Sequence, residues 1–377
     1  MVGGGQLARM THQAAIALGQ SLRILATEPD DGAALVAADI HLGAPDDLEA
    51  LRRFAKGCDV VTFDHEHVPG DHIRALAGAG VTVRPHADAL IHAQDKRVMR
   101  ERLTARGVPV PQWRPVASPD EVADFAGSTG WPVVAKAVRG GYDGRGVWVV
   151  DTPAQVAPIL AGGVALLAEE QVALQRELAV QVARSPYGQA AVYPVVESVQ
   201  REGICVEVLA PAPGLSPERA SGIQQMAVRL ATELDVVGLL TVELFDLGER
   251  VLVNELAMRP HNTGHWSIEG ARTSQFEQHL RAVLDYPLGE CTMTAPAVAM
   301  ANVLAAAAPP AQPLDERLHH MFAAEPGVKV HLYGKRERPG RKVAHVTAVG
   351  DDPDEVRARA VRAAGVLRDG TTRGSGS

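Results

Sequence analysis

Hydrophobic and polar positions change period repeatedly along this chain, and each change marks an element. A glycine turn, Gly3-Gly4-Gly5, opens helical spacing from Gln6 to about Leu18, and the apolar run Leu22–Ala26 reads as a strand. Asp59–Phe63 and Val81–Arg84 repeat the strand signature with helical patterns between, which predicts a small doubly wound sheet. A charged helix spans Asp95–Arg106, and Gly107-Val108-Pro109-Val110-Pro111 ends it at a boundary. Ser118-Pro119-Asp120-Glu121 caps the next helix. Strands follow at Trp131–Lys136, Val147–Val150, Leu166–Val172, Glu177–Ala183 and Ala190–Pro194. A helix with Ile223, Met226, Ala227 and Leu230 on one face runs over Ser216–Leu234. Leu239–Phe245 then alternates, turns at Asp246–Arg250 and returns as Val251-Leu252-Val253, a hairpin. Beyond lie a helix at Ser274–Leu284, strand and helix alternation from Val298, an Ala/Pro linker at Ala305–Pro313 and a strand at Val328–Tyr333.

Composition narrows the class. A length of 377 residues suffices for two or three domains, and 46% apolar content argues against disorder. No apolar run reaches the length of a membrane span, and the start lacks the basic-then-hydrophobic order of a secretory leader. Cys58, Cys205 and Cys291 are too scattered for a metal cluster or a disulfide framework, which suits a reducing cytoplasm. With 37 basic against 45 acidic residues the net charge is −8, which argues against a nucleic-acid partner. The tail Gly370–Ser377 is expected to be disordered.

The hairpin carries the first chemistry. Glu243 and Glu255 stand twelve positions apart, a spacing that sets them side by side on adjacent strands. Two neighbouring carboxylates suit a hard cation such as the magnesium of a nucleotide phosphate. Immediately after it, Arg259, His261, Asn262 and His265 crowd into seven positions. Upstream, Lys136 ends a strand, and four glycines fall within the seven residues Gly140–Gly146, a hairpin able to fold N–H groups over phosphates. Asp143 and Arg145 at its tip exceed what a plain turn needs. The strand edge Glu169-Glu170-Gln171-Val172 can bond an adenine rim through its backbone, and Glu177 can accept from ribose hydroxyls. Five of the eight residues Lys335–Lys342 are basic, a local anion site in an acidic chain. Gly3–Ala8 alone is weak support for dinucleotide binding, and only Met1 and Val2 precede it, so its strand looks nearly missing. Thr62–Pro69 is a further polar cluster at a strand end.

Together these residues resemble the ATP-grasp ligases, and most closely the 5-(carboxyamino)imidazole ribonucleotide synthase family of bacterial purine synthesis. The likeness spans nearly the whole chain. It rests on Gly5-Gln6-Leu7, Gly140–Gly146, Asn254-Glu255, His261-Asn262-Thr263-Gly264-His265-Trp266, Ser274-Gln275-Phe276-Glu277 and Arg338-Pro339-Gly340-Arg341-Lys342. The resemblance implies an α/β (α+β) ATP-grasp fold in four parts. These are a Rossmann-like pre-ATP-grasp domain (1–93), a small lid subdomain (94–168), a large subdomain (169–295) and a C-terminal domain (296–377).

It also implies an activity. ATP phosphorylates bicarbonate to carboxyphosphate, which carboxylates the exocyclic amine of aminoimidazole ribonucleotide in a cytoplasmic homodimer. By position, nucleotide contacts fall on Lys96, Lys136, Gly141, Tyr142, Asp143, Gly144, Arg145, Gly146, Val147, Glu169, Glu170, Gln171, Val172, Glu177, Gln200, Asn254 and Glu255. Magnesium, or manganese, falls on Glu243 and Glu255. Arg259, His261 and Asn262 take the bicarbonate chemistry. Gln6, Glu66, Lys335, Arg338, Arg341 and Lys342 take the imidazole nucleotide, with Asp143, Arg145 and Lys342 acting in catalysis.

Three positions depart from the family: Lys96 stands for an expected arginine, Gln200 for a frequent histidine and Met258 for a proline. Competing readings are a ribonucleotide transformylase, a biotin-dependent carboxylase, a nicotinamide dehydrogenase built on the glycine turn, and an inactive ATP-binding protein with a defective first strand.

Overall fold

The computed structural model describes residues 1–141 and 144–370. Tyr142, Asp143 and the tail from residue 371 onward lie outside the described residues.

The first part is a parallel sheet, as the alternation predicts. Arg23–Ala26 pairs with Asp39–Leu42, Val2 bridges both Leu25 and Phe63, and Val61 bridges Val83, all in parallel. Asp59–Phe63 and Val81–Arg84 are therefore shorter than expected, reduced to isolated bridges at Val61, Phe63 and Val83. The second ladder stops where Pro85 has no N–H to offer. Before the glycine turn there is no full strand, as the sequence reading has it, but Val2 is bridged on both sides. Val2 N–H donates to Thr62 O at 2.8 Å, Gly3 N–H to Leu25 O at 2.9 Å, and Leu25 N–H to Met1 O at 3.0 Å. Asp64 sits where a side chain at Gly3 (φ +107°) would be and accepts from Gly5 N–H at 2.8 Å. Helix Gln6–Ala17 thus follows a short bridged segment held between Leu25 and Phe63.

The second layer is a four-stranded antiparallel sheet in the order Trp113–Val116, Leu166–Glu170, Val133–Ala137, Val147–Val150. Helix Pro119–Thr129 covers it with Val122, Phe125 and Ala126, and Ser118 caps that helix through Glu121 N–H at 3.2 Å.

A nine-stranded sheet forms the third layer. Its order is Val251–Ala257, Gly238–Asp246, Arg176–Arg184, Val196–Arg201, Ile204–Ala210, Ala297–Leu304, Lys342–Gly350, Lys329–Leu332, with Ala190–Val192 paired to Arg176–Arg184. The hairpin Val196–Arg201/Ile204–Ala210 escapes the sequence pattern because a register shift between Cys205 and Glu207 interrupts its alternation. The strands from Ala297 onward continue this same sheet, Ala210 pairing Val298. Helix Pro217–Glu233 buries Ile223, Met226, Ala227 and Leu230. Each of its larger side chains contributes about 1.5–3 kcal/mol. Among the described residues no helix is long and apolar enough to cross a membrane.

Candidate active site

Strand register delivers the two carboxylates. Glu243 lies opposite Glu255, and a register shift follows at once. Lys96 Nζ, from helix Lys96–Ala105, bonds Glu255 Oε1 at 2.5 Å. On the other side, His261 Nε2 lies 3.2 Å from Glu243 Oε1. Burial, then Glu255, then Glu177, push the Glu243 carboxyl up to about 8 against the pull of Lys342 and Arg259. Burial also lifts Glu177 to about 7, opposed by Lys136. Glu177 and Glu243 are thus both hard to ionise, and Glu255 adds its charge beside Glu243. A divalent cation fits that place. Among the described residues no group of three or more His, Cys, Asp or Glu side chains could hold a metal alone. A metal here would complete its shell from phosphate oxygens and water, as magnesium does.

A second, drier network gathers around Lys136, one of the residues expected to contact nucleotide. Lys136 Nζ bonds Asn254 Oδ1 at 3.0 Å and Glu169 Oε2 at 2.7 Å. Arg100 Nε meets Glu169 Oε1 at 2.8 Å and Arg100 Nη1 donates to Val253 O at 3.1 Å. Burial raises the Glu169 carboxyl, yet Lys136 and Arg100 overcome it and hold it at about 2. Glu169 is therefore locked between Lys136 and Arg100. Glu170 is turned away: its carboxylate accepts from Gln112 N–H at 2.8 Å and its own N–H donates to Gln112 O at 2.9 Å. Gln171 and Val172 lie just past the strand end. Gln200 Nε2 donates to Ser198 Oγ at 2.8 Å. Val147 pairs with Lys136, so the glycine loop ends beside that lysine. Gly140, Gly144 and Gly146 take φ of +79°, +75° and +71°, which other residues rarely adopt. Arg145 is exposed, beside the undescribed Tyr142 and Asp143.

The polar loop folds over the hairpin's end. Arg259 grips Glu66 at 2.8 and 2.9 Å, so Glu66 reaches the site as the partner of that arginine. Asn262 and buried Asn302 exchange amide bonds at 3.0 and 2.7 Å. Burial, then Arg259 and Lys342, hold His261 well below the ordinary imidazole range, so its ring is neutral. His261 Nδ1 lies 2.9 Å from Thr263 Oγ1 and 3.4 Å from Thr263 N, and Nε2 faces Glu243. Gly264 is fixed by space: a Cβ there would overlap the amide oxygens of Gln181 and Gln275. Gly264→Ala is expected to destabilise the protein by about 1–3 kcal/mol and to lower turnover with it. Chemical denaturation and steady-state assay of that variant check this; wild-type values would show a roomier loop.

The basic segment divides. Lys335 Nζ bonds Gln6 Oε1, and it lies 5.6 Å from the Tyr333 ring centre. Lys342 opens the strand Lys342–Gly350 and is close enough to depress the His261 imidazole. Arg338 and Arg341 sit on an exposed turn closed by Arg341 N–H donating to Arg338 O at 2.9 Å. Sequence reasoning missed Arg100, Asn302 and the role of Gln275. Arg100 carried a signal: it shares a helix face with buried Met99 and Leu103.

Residues 1–94 match the ribonucleotide synthetase preATP-grasp domain, 101–276 the ATP-grasp domain, and 298–359 the phosphoribosylaminoimidazole carboxylase C-terminal domain. An N5-carboxyaminoimidazole ribonucleotide synthase of Mycobacterium bovis is 58% identical over 98% of this chain and 87% of its own length. The chain belongs to the N5-carboxyaminoimidazole ribonucleotide synthase family. The solved synthetase of Thermus thermophilus is similar at 38% identity and a TM-score of 0.82, covering 98% of this chain and 97% of that one. An Aspergillus clavatus synthase in complex with ADP and 5-aminoimidazole ribonucleotide gives 30% identity and a TM-score of 0.87, over 97% and 98% of the two chains. Family members are ATP-grasp ligases of purine biosynthesis. Membership removes the dehydrogenase reading: the glycine turn belongs to the preATP-grasp part.

Proposed function

We propose that the chain carboxylates aminoimidazole ribonucleotide with bicarbonate through carboxyphosphate, releasing ADP and phosphate. The observation that supports this most is the meeting, at one hairpin, of a phosphate-side lysine network and an arginine–histidine–asparagine loop. Lys136 meets the hairpin at Asn254 and His261 meets it at Glu243, with Arg259 beside His261 holding Glu66. Lys136 and Lys96 neutralise phosphate charge, because phosphoryl transfer needs electrostatics more than covalent help. Magnesium, or manganese, held by Glu243 and Glu255 would add further neutralisation at the transferred phosphoryl group. Arg259 and Asn262 hold the bicarbonate oxygens, and the neutral ring of His261 lines the same place beside Glu243. Carboxyphosphate is short-lived in water, so the glycine loop Gly140–Gly146 serves as a cover. Gln6, Lys335 and Lys342 hold the imidazole nucleotide, with Arg338 and Arg341 reaching its phosphate from the exposed turn. From the sequence alone, Asp143 is the residue that orients or deprotonates the acceptor amine.

The four-part division at 93, 168 and 295, a homodimer and a cytoplasmic setting complete the proposal; the free cysteines suit a reducing compartment. Phosphate release with ATP, bicarbonate and aminoimidazole ribonucleotide, each omitted in turn, tests it. Release that needs all three supports the reading, and release indifferent to bicarbonate ends it. Lys342→Ala is expected to raise the KM for aminoimidazole ribonucleotide by about tenfold or more, the loss of one charge-assisted contact, with ATP KM unchanged. An equal rise in both constants would move Lys342 to the nucleotide site.

A further inference from the structure

Gln275 is the first residue of helix Gln275–Leu284 and is fully buried. Its carboxamide makes four hydrogen bonds. Oε1 accepts from His261 N–H at 2.8 Å and from Gln181 Nε2 at 2.9 Å. Nε2 donates to His261 O at 2.8 Å and to His265 Nδ1 at 2.8 Å. Both hydrogens and both lone pairs of the amide are used, its full capacity. One side chain thereby holds the backbone N–H and the backbone C=O of His261, much as a neighbouring strand would. The amide is itself anchored. Gln275 N–H donates to Ser267 Oγ at 2.9 Å, and that hydroxyl donates to Gly264 O at 2.6 Å. With its backbone held at both polar groups, His261 keeps its ring between Thr263 Oγ1 at 2.9 Å and Glu243 Oε1 at 3.2 Å.

We propose that Gln275 is the positioning residue of the bicarbonate subsite, acting through the backbone and ring orientation of His261. This rests on the reading that Arg259, His261 and Asn262 hold bicarbonate. An ordinary packing residue in a helix's first turn would be matched by any side chain of equal volume. A clamp of this kind is matched by none that lacks both a donor and an acceptor. The nucleotide network of Arg100, Glu169, Lys136 and Asn254 shares no hydrogen bond with Gln275, so the two functions separate in measurement.

Gln275→Met keeps the volume and removes all four bonds. It is expected to lower kcat on the order of 100-fold, the scale of a misplaced catalytic group. The bicarbonate KM should rise, with ADP affinity and ATP KM as in wild type. Gln181→Met serves as the comparison: it removes one neighbour of the amide, leaves the His261 clamp, and should retain most of the wild-type kcat. Should Gln275→Met not fold, Gln275→Glu keeps the two acceptor bonds and loses both donors. It should then show the same bicarbonate-side loss with ADP binding intact. A kcat at the wild-type level, or a parallel fall of kcat, ADP affinity and melting temperature, would overturn the proposal and leave Gln275 a packing residue. Wild-type turnover that ignores bicarbonate would instead sink the bicarbonate reading itself, and the clamp with it.

Discussion

Glu255→Gln is expected to abolish bicarbonate-dependent ATP hydrolysis, a loss of at least about 100-fold, while the protein stays folded. The amide keeps the shape of the acid and removes its charge. Two things then fail at once. The pair formed with Glu243 across the hairpin loses one of the two carboxylates offered to a cation. Lys96, 2.5 Å from Glu255, loses the partner that directs its ammonium into the site. Folding is spared because the Glu255 side chain is 37% exposed and its strand neighbours supply the packing. Glu243→Gln should follow the same direction more mildly, since an amide can both donate to and accept from His261 Nε2, 3.2 Å away. Phosphate release at saturating magnesium reads both variants. Near-normal turnover by Glu255→Gln would remove the hairpin from the metal chemistry.

Much of this site was legible because its parts are local in sequence. A short hairpin keeps Glu243 and Glu255 near each other, although it is the register shift between Glu243 and Leu244, which the spacing does not announce, that sets them directly opposite. The same holds for Arg259, His261 and Asn262, which one turn keeps together, and for Lys136 beside the glycine loop. What stayed hidden is long-range pairing. Arg100 and Glu169 are 69 positions apart, and neither alternation nor helical spacing links them. Asn262 and Asn302 meet only once a distant strand joins the sheet. The acceptors for Val2 and Gly3, Thr62 and Leu25, likewise come from elements far along the chain. A two-residue stretch carries no period at all, so pattern reading could not see the bridges that hold Val2. The hairpin ending in Ile204–Ala210 was lost for a different reason: its shifted register breaks the alternation on which strand recognition depends. Gln275 was visible in a motif, but its four partners are a property of the folded loop.

Glu169→Leu is expected to cost about 3–5 kcal/mol of stability and to weaken ADP binding markedly. The carboxylate is 1% exposed and sits between Arg100, itself fully buried, and Lys136. Removing it leaves two cations in a poorly solvated place with only the neutral oxygens of Val253 and Asn254. The size of the pair follows from the carboxyl's titration as well. Its folded value of about 2 lies below the ordinary 4.5. At about 1.4 kcal/mol per unit, that difference is worth roughly 3 kcal/mol. The sign is that of a depressed acid. The unfolded chain takes up the proton first, so the stabilisation is complete above about 4.5 and drains away as pH falls toward 2. Urea unfolding of wild type and Glu169→Gln, which keeps the shape, should therefore show a gap of roughly 3 kcal/mol near neutrality that narrows through acid pH. ADP titration of the same variant should show weaker binding, because Lys136 loses the anion that aims it. A gap that stays constant with pH would mean that packing, and not the Arg100–Glu169–Lys136 charge network, holds this part of the nucleotide site.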